Sequence, residues 1–217
     1  MQPTQKLFLL LAFSLTGIFL ACRQQAGKIS REVNNMHIPL SALDSSALSI
    51  DKSPMDMIYF PADYPKEKMI FPDLANPLAR VIYSRPQRNG RIIFADSSVT
   101  KNFIQHYGQE WRLGANESTE IEFFKPATIG GKKIGAGRYI IYCIPAPDKW
   151  KVFFNSNLFS WGLHMDRSKD VASVELPIMK NDKNTEFFTM LFQKNQQGCE
   201  MLMMWGDIKV VMPISFD

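Results

Sequence analysis

The stretch that decides the fold is EFFTMLFQ at 186–193, followed by CEMLMMW at 199–205 and IKVVMP at 208–213. Val, Ile, Phe and Met fill these short runs, the composition that suits a pleated surface. Turn residues punctuate them. Gln197-Gly198 separates the first run from the second, and Gly206-Asp207 separates the second from the third at hairpin spacing. Nearly every position of 187–192 is apolar, which predicts a central strand buried on both faces. The same texture extends backwards through 80–84, 120–125, 138–144, 151–155 and 171–176, with turns at Gly130-Gly131 and 145–148. Only 98–107 reads as a helix, with Val99, Phe103, Ile104 and Tyr107 at helical spacing. The glycine-rich 130–137 leads into a strand and lacks the helix N-terminus of a phosphate loop. It reads as a turn, a short strand and a turn. The pattern predicts an all-β fold: an antiparallel β-sandwich, jelly-roll-like, or a barrel of about eight to nine strands with one short helix.

Composition narrows the function classes. The chain has 217 residues, of which 46% are apolar and 12% aromatic, enough to bury the core of one domain. A dispersed net charge of +4 argues against nucleic acid as a partner. Three Cys and three His exclude a disulfide scaffold and a four-cysteine zinc site, and no metal or cofactor is expected.

The first residues read as an address. Lys6 precedes the uncharged LFLLLAFSLTGIFL at 7–20, and Ala21-Cys22 follows. A charged start, a short apolar run and a small residue before the cut mark an export signal over 1–21. The run is shorter than the roughly 18 residues of a spanning helix. Cys22 directly after Ala21 resembles a bacterial lipoprotein signal, so lipidation of Cys22 and anchoring to a bacterial membrane in the cell envelope are expected. The chain from Cys22 onward would hold 217 − 21 = 196 residues. Cys143 and Cys199 remain in it, either as two small buried hydrophobes or as a disulfide pair. Residues 22–52 read as a tether with a short strand near 47–50 and a solvated His37. Residues 53–78 carry five of the 13 Pro yet also Tyr59, Phe60 and Phe71, which predicts an extended arm wrapped over the domain. Residues 79–217 form the expected sandwich.

Several motifs recur in a fixed order: Tyr83-Ser84-Arg85-Pro86, Gly90-Arg91, Phe94, Tyr107-Gly108, Trp111-Arg112, Gly114-Ala115-Asn116-Glu117 and Thr119. Gly131-Lys132, Ala136-Gly137, Tyr139, Ile144-Pro145, Trp150, Asn155 and Trp161-Gly162 continue the series. Together they resemble the bacterial domain-of-unknown-function family 2911, whose members are exported and often lipid-anchored. The resemblance runs from about Ser53 to the C-terminus. It implies an all-β fold and carries no established activity. One departure stands out: a longer, helix-like segment at 96–106 precedes Tyr107-Gly108. If that segment borders a site, it implies a specificity of its own.

The densest polar group in these motifs is Arg85, Arg91, Arg112, Asn116 and Glu117, with Tyr83, Tyr107 and Trp111 as aromatic company. An arginine fork holds a carboxylate or phosphate at two points, and an aromatic ring suits a sugar face or stacks on a guanidinium. Tyr83, Arg85, Arg91, Trp111, Arg112, Asn116 and Glu117 are therefore the candidate ligand-binding residues. The competing reading pairs Arg85 or Arg112 with Glu117 inside the fold, where both serve architecture. For catalysis the sequence offers His106 and His164 as bases and Glu110, Glu117, Glu120 and Glu122 as carboxylates, without a specific spacing. Glu120 and Glu122 share one strand face, which reads as solvated. Trp150, Phe153, Phe154, Phe159 and Trp161 form a sugar platform if exposed and core if not. Met201, Met203 and Met204 read as core filler. The expected protein is a non-catalytic binder of a small polar or anionic ligand, a glycan or an envelope protein. The alternative is an envelope hydrolase using Glu117 or His106 beside Arg85 and Arg112.

Overall fold

The computed structural model describes residues 53–160 and 162–216. The signal, Cys22, the tether with His37 and its short strand, and Trp161 lie outside the described residues. In chain order the elements are β1 (Met55–Phe60), helix α1 (Tyr64–Ile70), β2 (Ala79–Ser84), β3 (Ile92–Ala95), β4 (Phe103–His106) and β5 (Thr119–Phe123). Then follow β6 (Ala127–Ile129), β7 (Lys132–Ile134), β8 (Gly137–Pro145), β9 (Lys149–Asn155), β10 (Asp170–Lys194) and β11 (Gly198–Phe216). Nine strands join in one antiparallel sheet, in the order β1-β2-β5-β8-β9-β10-β11-β6-β7, and β3 and β4 form a small parallel pair. The sheet ends at β1 and β7 and does not close, so the fold is an open sandwich rather than a barrel.

Two expectations about the C-terminal runs need correction. Gly206-Asp207 does not end a strand, since β11 runs continuously through it and pairs with β10 on both sides. The glycine marks a bend instead. A Cβ on Gly198 would lie 2.4 Å from the carbonyl oxygen of Ile214 in the same strand. A straight strand would hold these residues about 50 Å apart. β11 therefore doubles over, with Gly206 in the left-handed region at φ 57°. The register of β10 against β11 shifts between Lys180 and Thr189, so the partner bends too. The true hairpin lies one turn earlier, where Asn195 N donates to Gly198 O at 3.1 Å. Burial in 187–192 is one-sided as well. Phe188, Met190 and Phe192 are buried, whereas Phe187 is 37% exposed and Thr189 and Leu191 are half-buried. The strand is interior to the sheet, but only one of its faces meets the core.

The helix is not where the spacing at 98–107 placed it. Phe103–His106 is β4, lying parallel to β3, and Asn102 precedes it at φ 61°, which no helix tolerates. Ile104 and Tyr107 still pack on the core, so the apolar residues were real and their period was misleading. The helix falls instead within the proline-rich 53–78. There Pro65 occupies the first turn of α1, where a missing N–H is tolerated. Nor does this segment wrap as an extended arm: β1 is an edge strand of the main sheet, paired with β2 from Met55 to Phe60. Gly130 and Gly131, at φ 55° and 75°, form the two-residue turn between β6 and β7.

The core is aromatic. Trp111, Trp150, Trp205, Phe94 and Phe188 are all buried, and Met201, Met203 and Met204 join them. Cys143 and Cys199 are buried free thiols rather than a disulfide. Across the outer face, Arg80 pairs with Glu122 at 2.5 Å and Arg138 pairs with Glu120. Glu120 and Glu122 thus lie on a solvated, ion-paired face, where each contact is worth about 0–1 kcal/mol.

Burial also predicts an alkaline limit to stability. Tyr83 Oη accepts from Met190 N at 2.9 Å and sits 3.2 Å from both Met190 O and Asp56 Oδ2. Burial pushes Tyr83 up to about 12 from 10.0 and Cys199 up to about 12 from 9.0, and it raises Cys143 well above 9.0. The folded state keeps these protons after the unfolded chain has lost them. Stability is therefore complete below the unfolded values and declines as pH rises through the window from about 9 to 12. Urea midpoints should be flat up to about pH 8 and fall steadily above about pH 9, and Tyr83→Phe should remove part of the fall. Midpoints constant through about pH 11 would contradict this.

Candidate functional site

The segment from Trp111 to Thr119 joins β4 to β5 and is wired at both ends. Trp111 and Cys143 exchange two backbone hydrogen bonds of 2.8 Å. The Trp111 indole donates to Gly114 O at 3.2 Å, and Thr119 Oγ1 donates to Leu113 O at 2.7 Å. Leu113 and Asn116 both take positive φ, at 54° and 62°. Gly114 is closely packed: a Cβ there would meet Ser84 O and Thr119 Oγ1 at 3.2 Å, tighter than an ordinary contact. Trp111 and Leu113 anchor in the core on either side of Arg112, which leaves the arginine half-buried at the wall of a cleft.

That cleft has a volume of about 620 Å³. Arg91, Arg112 and Arg167 line it, together with Gln105, Gln109 and Glu110. Backbone carbonyls hold Arg91 in place: its Nε donates to Arg88 O at 3.0 Å and its Nη2 to Gln87 O at 2.6 Å. Arg167 sits on a single 3₁₀ turn (Arg167–Lys169) before β10, and its Nε donates to Glu110 Oε1 at 2.6 Å. Glu110 Oε2 also accepts from Met165 N at 3.2 Å, so this carboxylate ties the 156–169 loop to the cleft wall. Gly162 presses the same loop onto the arginine stem, since a Cβ there would lie 2.9 Å from Arg112 Cβ. Three guanidinium groups and one already-paired carboxylate make the cleft electropositive. Beside them the Gln109 carboxamide can donate and accept at once, while Gln105 already donates to Glu110 O at 2.8 Å and accepts from His106 N at 2.9 Å.

The candidates read from the sequence separate into three places. Arg91, Trp111 and Arg112 border the cleft, but Trp111 does so only from within the core. Arg85 belongs to the scaffold. Its guanidinium donates to Phe188 O at 3.3 Å and Thr189 Oγ1 at 3.0 Å, and lies 3.4 Å from Asp56 Oδ2. Its ion-pair partner is thus Asp56 and not Glu117. Tyr83 is buried behind it, against Met190 and Asp56. Asn116 is half-buried in the Gly114 turn. Glu117 is exposed and lines a separate recess with Ser118, Glu120 and Phe159. His106 borders neither space: its Nδ1 is 3.2 Å from Ala95 O and its ring lies 4.1 Å from that of Phe103.

Sequence reasoning did not place Gln105, Gln109 or Arg167 in the site, and it offered Glu110 only as a general carboxylate. The first two sit in the segment mistaken for a helix and in the turn after it. Arg167 arrives from another loop, and no local pattern marks it. Among the described residues no group of three or more His, Cys, Asp or Glu is placed to hold a metal ion, and no helix is long and apolar enough to cross a membrane.

Fold and cleft together define an all-β domain with an electropositive cleft beside an aromatic core. A family model matches residues 66–214, and the chain belongs to that family, described as Protein of unknown function (DUF2911). No curated protein and no solved structure matches the chain.

Proposed function

We propose that the protein is a lipid-anchored envelope protein that binds a small anionic ligand in the arginine cleft without transforming it. The observation that carries this reading is the convergence of Arg91, Arg112 and Arg167, with Gln105 and Gln109, on one space of about 620 Å³. Forked guanidinium groups hold carboxylate or phosphate oxygens at two points, and a carboxamide orients the rest of the ligand. The hydrolase alternative needs Glu117 or His106 beside the arginines, and neither lines the cleft. Glu110 does line it, but Arg167 and the Met165 amide already occupy both of its oxygens.

Thermal shift against phosphate, citrate, succinate, glucose 6-phosphate and glucuronate, with glucose as neutral control, tests the binding. A ligand at about 100 times its Kd should raise the melting midpoint by about 5–10 °C, and added salt should reduce the rise. Absence of any anion-specific shift would sink the proposal. The anchor follows from the Leu7–Leu20 run and Cys22. The chain expressed in a bacterium should enter the detergent phase of a two-phase extraction, and Cys22→Ser should move it to the aqueous phase. An unchanged partition would refute lipidation.

A further inference from the structure

A separate recess opens beside Phe159 and Ser160 of the 156–169 loop. Phe159 is 83% exposed, and its φ is 65°. Both facts argue against phenylalanine on structural grounds. An aromatic ring in water gains nothing from burial, and the left-handed region favours Gly or Asn over a residue with a bulky side chain. The ring nevertheless stands at the rim of a recess of about 220 Å³, beside Glu117, Ser118, Glu120 and Ser160. Arg138 lies 5.7 Å from the ring centroid, and the rest of the ring is open. The hydroxyls of Ser118 and Ser160 face each other at 3.4 Å.

We infer that this recess is a subsite for a neutral sugar, with Phe159 as its stacking platform. The charges select against the alternatives. An anion would meet the Glu117 and Glu120 carboxylates, and a cation on the ring would meet Arg138, which is already paired with Glu120. A neutral polyol avoids both conflicts. Its apolar face lies on the ring, and its hydroxyls donate to Glu117 and exchange hydrogen bonds with the two serines. The volume suits one sugar ring rather than a larger ligand. The recess shares no lining residue with the arginine cleft.

Saturation-transfer and titration NMR with cellobiose, maltose and N,N′-diacetylchitobiose test the assignment. At least one disaccharide should bind at millimolar concentration and should perturb the Phe159 ring signals. Phe159→Gly should weaken it by about tenfold, a loss typical of one stacked ring. The same variant should melt no lower than the native protein, because glycine is at ease at this φ. Three outcomes each overturn the inference: no saturation transfer from any of the three sugars, undiminished affinity in Phe159→Gly, or a lower melting point for that variant.

Discussion

Trp111→Ala is expected to destabilise the domain by about 4 kcal/mol, the cost of emptying a buried aromatic site in a core that cannot collapse around it. Trp111 meets Phe188 at 4.9 Å, Phe94 at 5.4 Å, Trp150 at 5.5 Å and Trp205 at 5.6 Å between ring centroids. Three of these contacts are edge-on and one is stacked, and the four partners come from four separate strands, β3, β9, β10 and β11. Its removal therefore loosens the sheet, the β3–β4 pair and the turn carrying Arg112 together. Such a loss is a large share of the stability of an ordinary domain, about 5–15 kcal/mol. Urea unfolding followed by circular dichroism measures it. A loss below about 1 kcal/mol would show that the indole is not the hub of this core.

The second large effect is on binding. Arg112→Ala should weaken the anionic ligand by about a hundredfold, the worth of a charge-assisted, two-point contact in a partly buried cleft. The affinity is read below the variant's own melting point. Arg85→Ala should spare the affinity. It strips hydrogen bonds from the Phe188 carbonyl and Thr189 and leaves Asp56 without its cation, so stability falls by about 1–3 kcal/mol while affinity holds. Two arginines that look alike in the sequence are thus separated by one calorimetric titration each.

That contrast shows what the sequence could and could not tell. The strand texture was legible because apolar β-branched and aromatic runs report local pairing, and β2, β5, β8 and β9 fall within two residues of where they were expected. Glycines reported special backbone faithfully, as at Gly130-Gly131 and Gly206, but not its use. A positive φ serves a turn in the first case and a bend within one strand in the second. The segment at 98–107 misled because four apolar side chains at helical spacing also fit a short strand preceded by a turn, and contacts with Phe94 and the core decided between them. Proline content misled in the other direction: Pro65 sits where a helix accepts it, and β1 is an edge strand bounded by Pro54 and Pro61.

Membership of the cleft was legible only in part. Arginines close in sequence pointed to an anion, and Arg91 and Arg112 do share a cleft. Sequence proximity could not foresee that Arg85 turns back onto β10, that Glu117 turns away, or that Arg167 crosses from a distant loop to complete the set.

The most direct test of the central claim is to watch the arginines themselves. In a spectrum of side-chain Nε–Hε groups, titration with the anion that gives the largest thermal shift should move Arg91, Arg112 and Arg167 along one saturation curve. Arg85, held by β10, and Arg138, paired with Glu120, should stay still. Arg85 moving while Arg112 does not, or every arginine drifting together without saturation, would contradict the proposed cleft.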